Sequence, residues 1–481
     1  MSNIPIPVLI GESANGDLSG LNTNDKSSLV NAINETVTNI STINTKLNNL
    51  EVDVTSYKSL VTNLGQSNED WTPAINAATL ILSNATNSCY IGNCGGIIYF
   101  PQGTYQILSS IIMKSNITYK GAGIDTTIIK GNFTSGYIFD VTGTNHTSRL
   151  AQVRIEDMTI GSDTCSFTTL SNNRATCGGI NLSYCMSVKI RRIGIFNLAG
   201  IAINQVENYD CTFDDMDILF CGVIGDDTKP CMTFLDNSDT TNAVHCLKLH
   251  VEQCGLILMS ATTTQIREIQ FVACKFEQVN LWIKSVNSVT FSDSNFVWSS
   301  NTNYQIRIDQ NTGLDTRGLS FANCTFIGVS HTGNFINNIN SINVTIINAR
   351  VNSANQFITG NSNCVTAIIG GNAYDCNSPV IKDCQVISSF DIRHINNGTD
   401  YAINIADLSQ AQIIGGSVVD CSLGIAIGGR TIVSKTYISV VTTGIYISSS
   451  NNVIDYVMCP SAQIIYASGQ TSATQASVTR F

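Results

Sequence analysis

The chain has 481 residues, of which 43% are hydrophobic and only 12% are charged, and its net charge is −10. The apolar content excludes a disordered protein, and the sparse charge is unlike an ordinary globular enzyme, where about 25% of residues are charged. An acidic chain without a basic run also binds nucleic acid poorly, because phosphate contacts need Lys and Arg.

The first ten residues contain neither a basic segment nor an apolar segment typical of a signal peptide. No apolar run approaches the length of about 18 residues that a membrane span needs. We therefore expect no membrane contact and synthesis in a reducing cytoplasm, where the 17 cysteines stay free thiols. A disulfide is conceivable only for Cys89 and Cys94, which lie close together in one predicted loop.

Residues 1–25 are irregular, with Pro5 and Pro7, and are interpreted as a docking segment, although their composition also fits a loose tail. Residues 26–65 carry a heptad repeat that predicts a coiled-coil stalk. Its two seams are Ile33, Ile40, Leu47, Val54 and Val61, and Leu29, Thr36, Ile43, Leu50, Tyr57 and Leu64. Mixed Ile and Leu at both seams favour three strands. One long helix packed on its own domain is the alternative.

Residues 66–140 predict a capping helix and the first coils of a repetitive domain. The helix should begin at Asp70–Pro73 and end near Leu82, with buried positions at Ile75, Ala78, Leu80 and Leu82. The segment Gly95–Ile107 then predicts a strand, a turn and a second strand.

Residues 141–460 predict a parallel β-helix, because segments of roughly 21 to 31 residues align beneath one another. One aligned column is apolar in every segment: Phe196, Ile218, Val251, Phe276, Phe296, Phe326, Val351, Tyr374 and Val419. A turn column carries Asp293, Asn323, Asn348, Gly371 and Gly416, where side chains could form a hydrogen-bonded ladder. An all-β sandwich would show short alternating strands but no matched columns. Residues 461–481 are predicted to be a polar tail.

The alignment also places acidic residues of neighbouring coils side by side. Glu252 and Glu277 share one outward column, and coils of a parallel β-helix lie about 4.8 Å apart, close to the carboxylate spacing of about 5–5.5 Å in retaining glycosidases. Asp217, His250 and Lys275 share the outward column two residues earlier. One carboxylate could donate a proton while the other acts as base or nucleophile, which describes a hydrolase. Alternatively, His250 or Lys275 could abstract a proton beside a uronate carboxyl group, which describes a lyase.

Other interpretations of these charges remain open. Outward Glu, Lys and His usually form a solvated surface, and Lys275 could simply neutralise the two glutamates. Other acids compete for a catalytic role, namely Asp309, Asp315, Asp375 and Asp420, and a site between subunits could combine residues of different chains. No His or Cys cluster has the spacing of a metal site, so we expect neither a metal nor a cofactor.

Three aromatic residues follow the Glu277 coil, and exposed aromatic rings suit stacking on sugars. Trp282, Trp298 and Tyr304 are therefore candidate substrate-binding residues. Trp298 should face outward near a turn, since it follows an inward Phe. Either Trp could instead fill the end of the β-helix interior.

Two segments resemble known families. The run Asp70–Gly131 resembles the opening of pectate-lyase-like right-handed parallel β-helix domains, with a capping helix, Phe-Pro-x-Gly-Thr-Tyr at Phe100–Tyr105 and a Gly-x-Gly turn at Gly121 and Gly123. Leu21–Glu35 resembles segments of phage tail and fibre proteins that lead into a trimeric stalk.

Together these resemblances imply a bacteriophage tailspike. The implied assembly is a homotrimeric virion component, made in the host cytoplasm, that attaches to the phage tail or baseplate through residues 1–25. Its implied partner is a bacterial surface polysaccharide, which many tailspikes cleave. A non-catalytic receptor-binding fibre on the same scaffold is the main alternative. A free pectin-type lyase is a third, against which the predicted stalk and the missing signal peptide argue.

Overall fold

The computed structural model describes residues 31, 33–38, 51–84, 88–89, 92–93, 95–162, 169–341, 343–361, 364–377, 379–395, 400–405, 410–448, 452–458, 463–466 and 474–479. Over these ranges the chain is a parallel β-helix, in which 38 strands form one continuous parallel system. Successive coils lay their strands on three faces, which we call A, B and C. Residues 31 and 33–38 are helical, Val54–Leu60 form a 3-10 helix, and helix α1 spans Thr72–Asn84.

The strands confined to face A are Glu51–Asp53, Ile97–Phe100, Thr118–Gly121, Ile266–Val272, Val286–Ser292, Arg317–Ala322, Val386–Ser388, Gln410–Ile414 and Arg430–Ser434. Longer strands bend from face A onto face B: Arg154–Gly161, Lys189–Phe196, Thr212–Leu219, Asn242–Glu252, Val344–Asn352, Thr366–Cys376, Val453–Met458 and Thr474–Thr479.

Face B alone contains Gly103–Ile107, Thr127–Gly131, Lys275–Glu277, Asn295–Trp298, Thr325–Gly328 and Asp391–Ile395. The strands Ser417–Ile427 and Tyr437–Ile447 continue from face B onto face C. Face C contains Ile111–Ile112, Tyr137–Thr142, Gly178–Ser183, Ile203–Val206, Met232–Leu235, Ile257–Ser260, Leu281–Lys284, Tyr304–Asp309, Gly333–Asn338, Ala354–Thr359, Ile381–Lys382, Ile403–Ile405 and Gln463–Tyr466. Two small pairs stand apart: Leu150–Ala151 with Cys185–Met186, and the antiparallel Ser88–Cys89 with Gly92–Asn93.

The bend between faces A and B is made by one residue in the left-handed backbone region. Its φ is 57° at Asp215, 51° at Lys248 and 51° at Asp293. Asp and Asn tolerate this conformation better than most side chains, which explains why they recur at the bend. Because each bend fixes the inward and outward alternation of the strand that follows, it also sets which side chains face solvent on face B.

The core is a stack of aligned apolar side chains, as the repeat predicts. On face B the paired inward residues are Ile195, Ile218, Val251, Phe276, Phe296, Phe326, Val351, Ala373, Ile392, Val418 and Ile438, all buried. Aromatic rings of consecutive coils stack directly, with centroids 4.9 Å apart for Phe296 and Phe326.

The predicted column was wrong by one residue at three positions. Ile195, Ala373 and Val418 point inward where the alignment placed Phe196, Tyr374 and Val419. The sequence does not fix where each aligned segment begins, because the coils differ in length. A displacement by one residue is then enough, since alternation sends the next residue to the opposite side of the strand. The alignment also passed over the coil that contains Asp391–Ile395. Phe196 is buried all the same, because its ring covers Gly194.

The predicted helix over residues 26–65 was wrong in its last part. Glu51–Asp53 is a strand paired with Ile97–Phe100, and Asp53 caps the 3-10 helix that follows by accepting the Thr55 N–H at 2.8 Å. Val54 is fully buried in the core of the β-helix. The apolar spacing of this stretch therefore serves the first coil. Ile33 and Val37, in the described helical part, are exposed in the single chain.

Smaller differences occur at the two ends of the domain. Helix α1 buries Ile75, Ala78 and Leu82 as predicted, but Leu80 is 56% exposed. The predicted tail after residue 460 was wrong in part, because Gln463–Tyr466 and Thr474–Thr479 continue the parallel pairing. Residues 1–25, most of the predicted stalk and Cys94 lie outside the described residues.

Candidate functional site

Five charged side chains meet on the outer surface of face B. The register pairs Asp217 with His250 and His250 with Lys275 in three consecutive coils, and it pairs Glu252 with Glu277. These residues alternate with the buried Ile218, Val251 and Phe276, so the strand period turns all five outward. We call Asp217, His250, Glu252, Lys275 and Glu277 the charged cluster. The sequence alignment predicted this adjacency, and the pairing confirms it.

The charged cluster is connected by short contacts. His250 lies between two carboxylates, with Nδ1 3.2 Å from Asp217 Oδ1 and Nε2 3.3 Å from Glu252 Oε2. The ammonium of Lys275 lies 2.5 Å from Glu277 Oε2. A neutral imidazole carries one proton, so only one of its nitrogens can donate at a time. His250 can therefore donate to Asp217 through Nδ1. Nε2 is buried and makes no hydrogen bond within the described residues, although it lies near Glu252.

The cluster is reachable from solvent without being fully hydrated. The side chains of Glu252, His250 and Glu277 are 24%, 27% and 28% exposed. A ligand could thus touch both glutamates, while the surroundings screen their charges less than bulk water does.

Asp125 is a neighbour that the sequence did not reveal. It is exposed, and its backbone N–H donates to Thr159 Oγ1 at 3.1 Å on the coil before Gly194. Desolvation and then the charge of Asp217 raise the pKa of Asp125 above its ordinary value. Asp125 belongs to a turn outside the aligned repeat, so no column could connect it with Asp217.

The cluster also contains a donor set for a cation. His250, Glu252 and Glu277 each place one ligand atom within 4.8 Å of the other two, and they are the one such group among the described residues. Imidazole and carboxylate donors suit several divalent metals. Lys275 already supplies a positive charge to Glu277, however, and a cation would have to compete with it.

The three aromatic candidates lie apart from the cluster. Trp282 is on face C, half-buried, with the Lys284 ammonium 4.0 Å and the Arg307 guanidinium 4.1 Å from its ring centre. The outward prediction for Trp298 was wrong: it is 8% exposed and donates its ring N–H to the Asn303 carbonyl at 2.9 Å. Tyr304, also on face C, is half-buried and bonds through its hydroxyl to Gln356 and Thr359.

The competing acids are dispersed. Asp309 accepts from the Asn340 amide at 3.0 Å, and Asp315 pairs with Arg317 at 2.7 Å. Asp375 lies 3.0 Å from His331 Nε2, several coils beyond the charged cluster. Asp420 is exposed at a bend with φ of 56°. Among the described residues, Asp309, Asp315 and Asp420 have no second carboxylate among their hydrogen-bond or ion-pair partners.

Comparisons with known proteins agree with this fold. Residues 61–226 match the family described as rhamnogalacturonase A/epimerase, pectate lyase-like. That range contains the opening motif and Asp217, but it ends before His250, Glu252, Lys275 and Glu277. The resemblance to pectate-lyase-like β-helix proteins is thus confirmed over residues 61–226, about a third of the chain.

A phage protein is also similar to part of the chain. Depolymerase 1, capsule KN3-specific, of Klebsiella phage KN3-1 is 24% identical over 228 residues, which are 45% of this chain and 28% of that protein. This chain therefore matches little more than a quarter of that relative's length. The similarity confirms the resemblance to phage tailspike proteins.

Solved structures with similar coils include ORF18 of Geobacillus virus E2, with 19% identity, a TM-score of 0.49, and coverage of 74% of this chain and 64% of that one. The A-module of the mannuronan C-5 epimerase AlgE4 from Azotobacter vinelandii has 13% identity and a TM-score of 0.32, covering 89% of this chain and 99% of that one. In the described part of this chain, no helix is long and apolar enough to cross a membrane.

Proposed function

We propose that this chain is a phage tailspike that recognises and depolymerises a bacterial surface polysaccharide. The observation that carries the proposal is the charged cluster, which places three carboxylates, a histidine and a lysine together on the open face of a parallel β-helix. The similarity to a phage depolymerase supports the substrate class.

The distances favour hydrolysis of a glycosidic bond with a covalent intermediate. Glu252 and Glu277 have oxygens within 4.8 Å of each other, which fits the close carboxyl pair of retaining enzymes and leaves little room for a water between them. Glu277, paired with Lys275, would attack the anomeric carbon as a carboxylate. Glu252 would protonate the departing oxygen and then take a proton from the water that releases the sugar.

His250 and Asp217 would assist the proton transfers of Glu252. Asp217 orients the imidazole through Nδ1, and Nε2 faces Glu252, so a proton can pass between Glu252 and the ring.

The proposed assembly is a homotrimer attached to the tail or baseplate through residues 1–25, with a stalk within residues 26–50. Ile33 and Val37 support the stalk, since partner helices would cover both exposed side chains.

Reducing-end release from purified capsules and O-antigens tests the proposal, with the KN3-type capsule in the panel. We expect wild type to release reducing ends, and Glu252→Gln or Glu277→Gln to reduce the rate about a hundredfold or more. Glu268→Gln is the matched control, because Glu268 is an exposed glutamate on face A. Absorbance near 235 nm, followed in parallel, would identify an unsaturated product.

The outcomes separate the alternatives. New absorbance would replace hydrolysis by elimination, with His250 or Lys275 as the base. Release that survives both glutamine variants would move the active site elsewhere on the molecule. Binding to a polysaccharide without release from it would establish a receptor-binding fibre.

A further inference from the structure

A second surface feature lies on face B, further along the axis from the charged cluster. It is an open groove of about 560 Å³, lined by Asp293, Asn323, Thr325, Asn348, Arg350, Gly371 and Asn372. The register places Thr325, Arg350 and Asn372 in the outward row that begins with Asp217, His250 and Lys275. The groove and the cluster therefore share one continuous surface.

One wall of the groove is a ladder of side chains at the bend. The Asn323 amide donates to Asp293 Oδ1 at 3.3 Å, and the Asn348 amide donates to Asn323 Oδ1 at 3.4 Å. All three residues have φ between 51° and 55°, so the backbone holds their side chains in the same orientation. Gly370 takes the next position, where a Cβ would lie 2.6 Å from Asn348 Oδ1. The result is a fixed polar wall.

Arg350 is the one cation lining the groove. In the part of the chain that the structure describes, its exposed guanidinium has neither an ion pair nor a hydrogen bond. Asp293, across the groove, accepts from Asn323, while Asp391 of a later coil accepts from the Ser417 hydroxyl at 2.7 Å. An unpaired guanidinium beside neutral amides is suited to a carboxylate, which it binds through two parallel hydrogen bonds.

Tyr374 adds an aromatic surface next to the groove. It lies two residues after Asn372 on the same strand, it is 55% exposed, and it pairs in register with Asn352. Its outward row is the one that contains Glu252 and Glu277. Three coil steps separate Lys275 from Arg350, which is about 14 Å at the usual strand spacing. A sugar chain extended along the axis could therefore contact both regions.

We propose that this groove is a binding subsite for an acidic polysaccharide, in which Arg350 pairs with a sugar carboxylate and the Tyr374 ring stacks on a neighbouring sugar. The inference rests on the proposed function for the direction of the sugar chain and its passage over the charged cluster. It adds the substrate class, a polymer with carboxylate groups, and two residues that select it.

The test measures binding, so that it does not depend on cleavage. The probes are polygalacturonate, alginate, hyaluronan and the carboxylated capsules of the release panel, each compared with its carboxyl-reduced form. Titrations use the full chain carrying Glu252→Gln and Glu277→Gln, which keeps the polymers intact. The added substitutions are Arg350→Gln, Tyr374→Ala and, as a matched control, Arg267→Gln, an exposed arginine on face A.

We expect Arg350→Gln to weaken binding of at least one native acidic polymer about tenfold and to leave its carboxyl-reduced form unaffected. Tyr374→Ala should weaken both forms, and Arg267→Gln neither. The inference is overturned if no acidic polymer in the panel binds, or if Arg350→Gln affects native and reduced polymers equally. Carboxylate-dependent binding by a wild type that releases no reducing ends would support the subsite while refuting the proposed enzyme.

Discussion

At the scale of single residues, the charged cluster depends on strand alternation and on the bend before each strand. Lys248, with φ of 51°, starts the face B part of its strand, so that Leu249 and Val251 point inward while His250 and Glu252 point outward. A deletion within this strand would exchange the two sets. The cluster could be predicted because its alignment contained no slip between Ile218 and Val351.

Tyr374 was predicted to lie in the core because the alignment slipped at its coil. Two consecutive glycines with positive φ, Gly370 and Gly371, form the bend there, where the preceding coils use one Asp or Asn. The register is one-to-one across this bend, with Ala349 opposite Gly371, so Gly370 takes the bend position of Asn348. The sequence alignment had placed Gly371 in that column. This displaced the segment by one residue, and Ala373 turns inward while Tyr374 turns outward. Asp125 and Arg350 carried no sequence signal of their own, since only the folded coils place them beside Asp217 and the asparagine ladder.

The cysteines allow a prediction at this scale. The 13 cysteines whose side chains the structure describes, out of 17 in the chain, are buried free thiols. Desolvation raises the pKa of Cys211 and Cys376 to about 12. Only a thiolate reacts readily with a disulfide reagent, so these thiols should stay inert between pH 7 and 9. We expect Ellman's reagent to label at most four thiols in the native protein and all 17 in denaturant. Rapid labelling of more than four would contradict the buried arrangement.

At the scale of elements, the turn after the face C strand Met232–Leu235 is fixed by a buried carboxylate. Asp236, directly after Met232–Leu235, accepts the N–H of Thr262 at 2.7 Å and of Thr264 at 2.7 Å, and it also binds Thr263. Desolvation raises the pKa of Asp236, but these backbone donors outweigh it and bring the pKa below its ordinary value. One carboxylate therefore ties the turns of two consecutive coils together.

Asp236→Asn should lower the free energy of unfolding by about 2 kcal/mol at pH 7, because hydrogen bonds to a charged acceptor are lost. A lowered folded-state pKa means that this stabilisation is complete above the unfolded pKa, near 3.8, and disappears as pH falls through the folded value. Denaturation at pH 7 and at pH 3 measures the change. Asp315→Asn is the control, since its exposed pair with Arg317 contributes little. An equal loss at both pH values would contradict the charge-based explanation.

At this scale the sequence predicted the type of each element better than the residues at which it begins and ends. Columns of Phe, Val and Ile are a strong signal, because every coil must bury the same face against its neighbours. The first residue of each aligned segment is a weak signal, because the coils differ in length. The prediction was therefore displaced by one residue at Phe196 and Val419, and it omitted Asp391–Ile395. The predicted coiled coil also extended too far along the chain. The segment that caps the β-helix has apolar residues at a spacing similar to that of a coiled-coil seam.

At the scale of the whole molecule, the boundary between stalk and β-helix becomes a prediction about two truncations. Removing residues 1–50 leaves every described strand in place, whereas removing residues 1–65 also deletes Glu51–Asp53 and the 3-10 helix Val54–Leu60. The longer deletion would expose the edge of Ile97–Phe100 and leave the hydrophobic space filled by Val54 empty. It would therefore remove part of the domain as well as the stalk.

We expect the chain lacking residues 1–50 to melt within a few degrees of the full chain, and the chain lacking residues 1–65 to melt clearly lower and to aggregate, because an uncovered strand edge pairs with other chains. Light scattering on the same samples should give a trimer for the full chain and dissociation on dilution for the shorter truncation, since the predicted heptads would no longer join the subunits. Equal melting of the two truncations would show that Glu51–Leu60 is dispensable for the first coil. A trimer that survives loss of residues 1–50 at every dilution would assign trimerisation to the β-helix faces instead of the stalk.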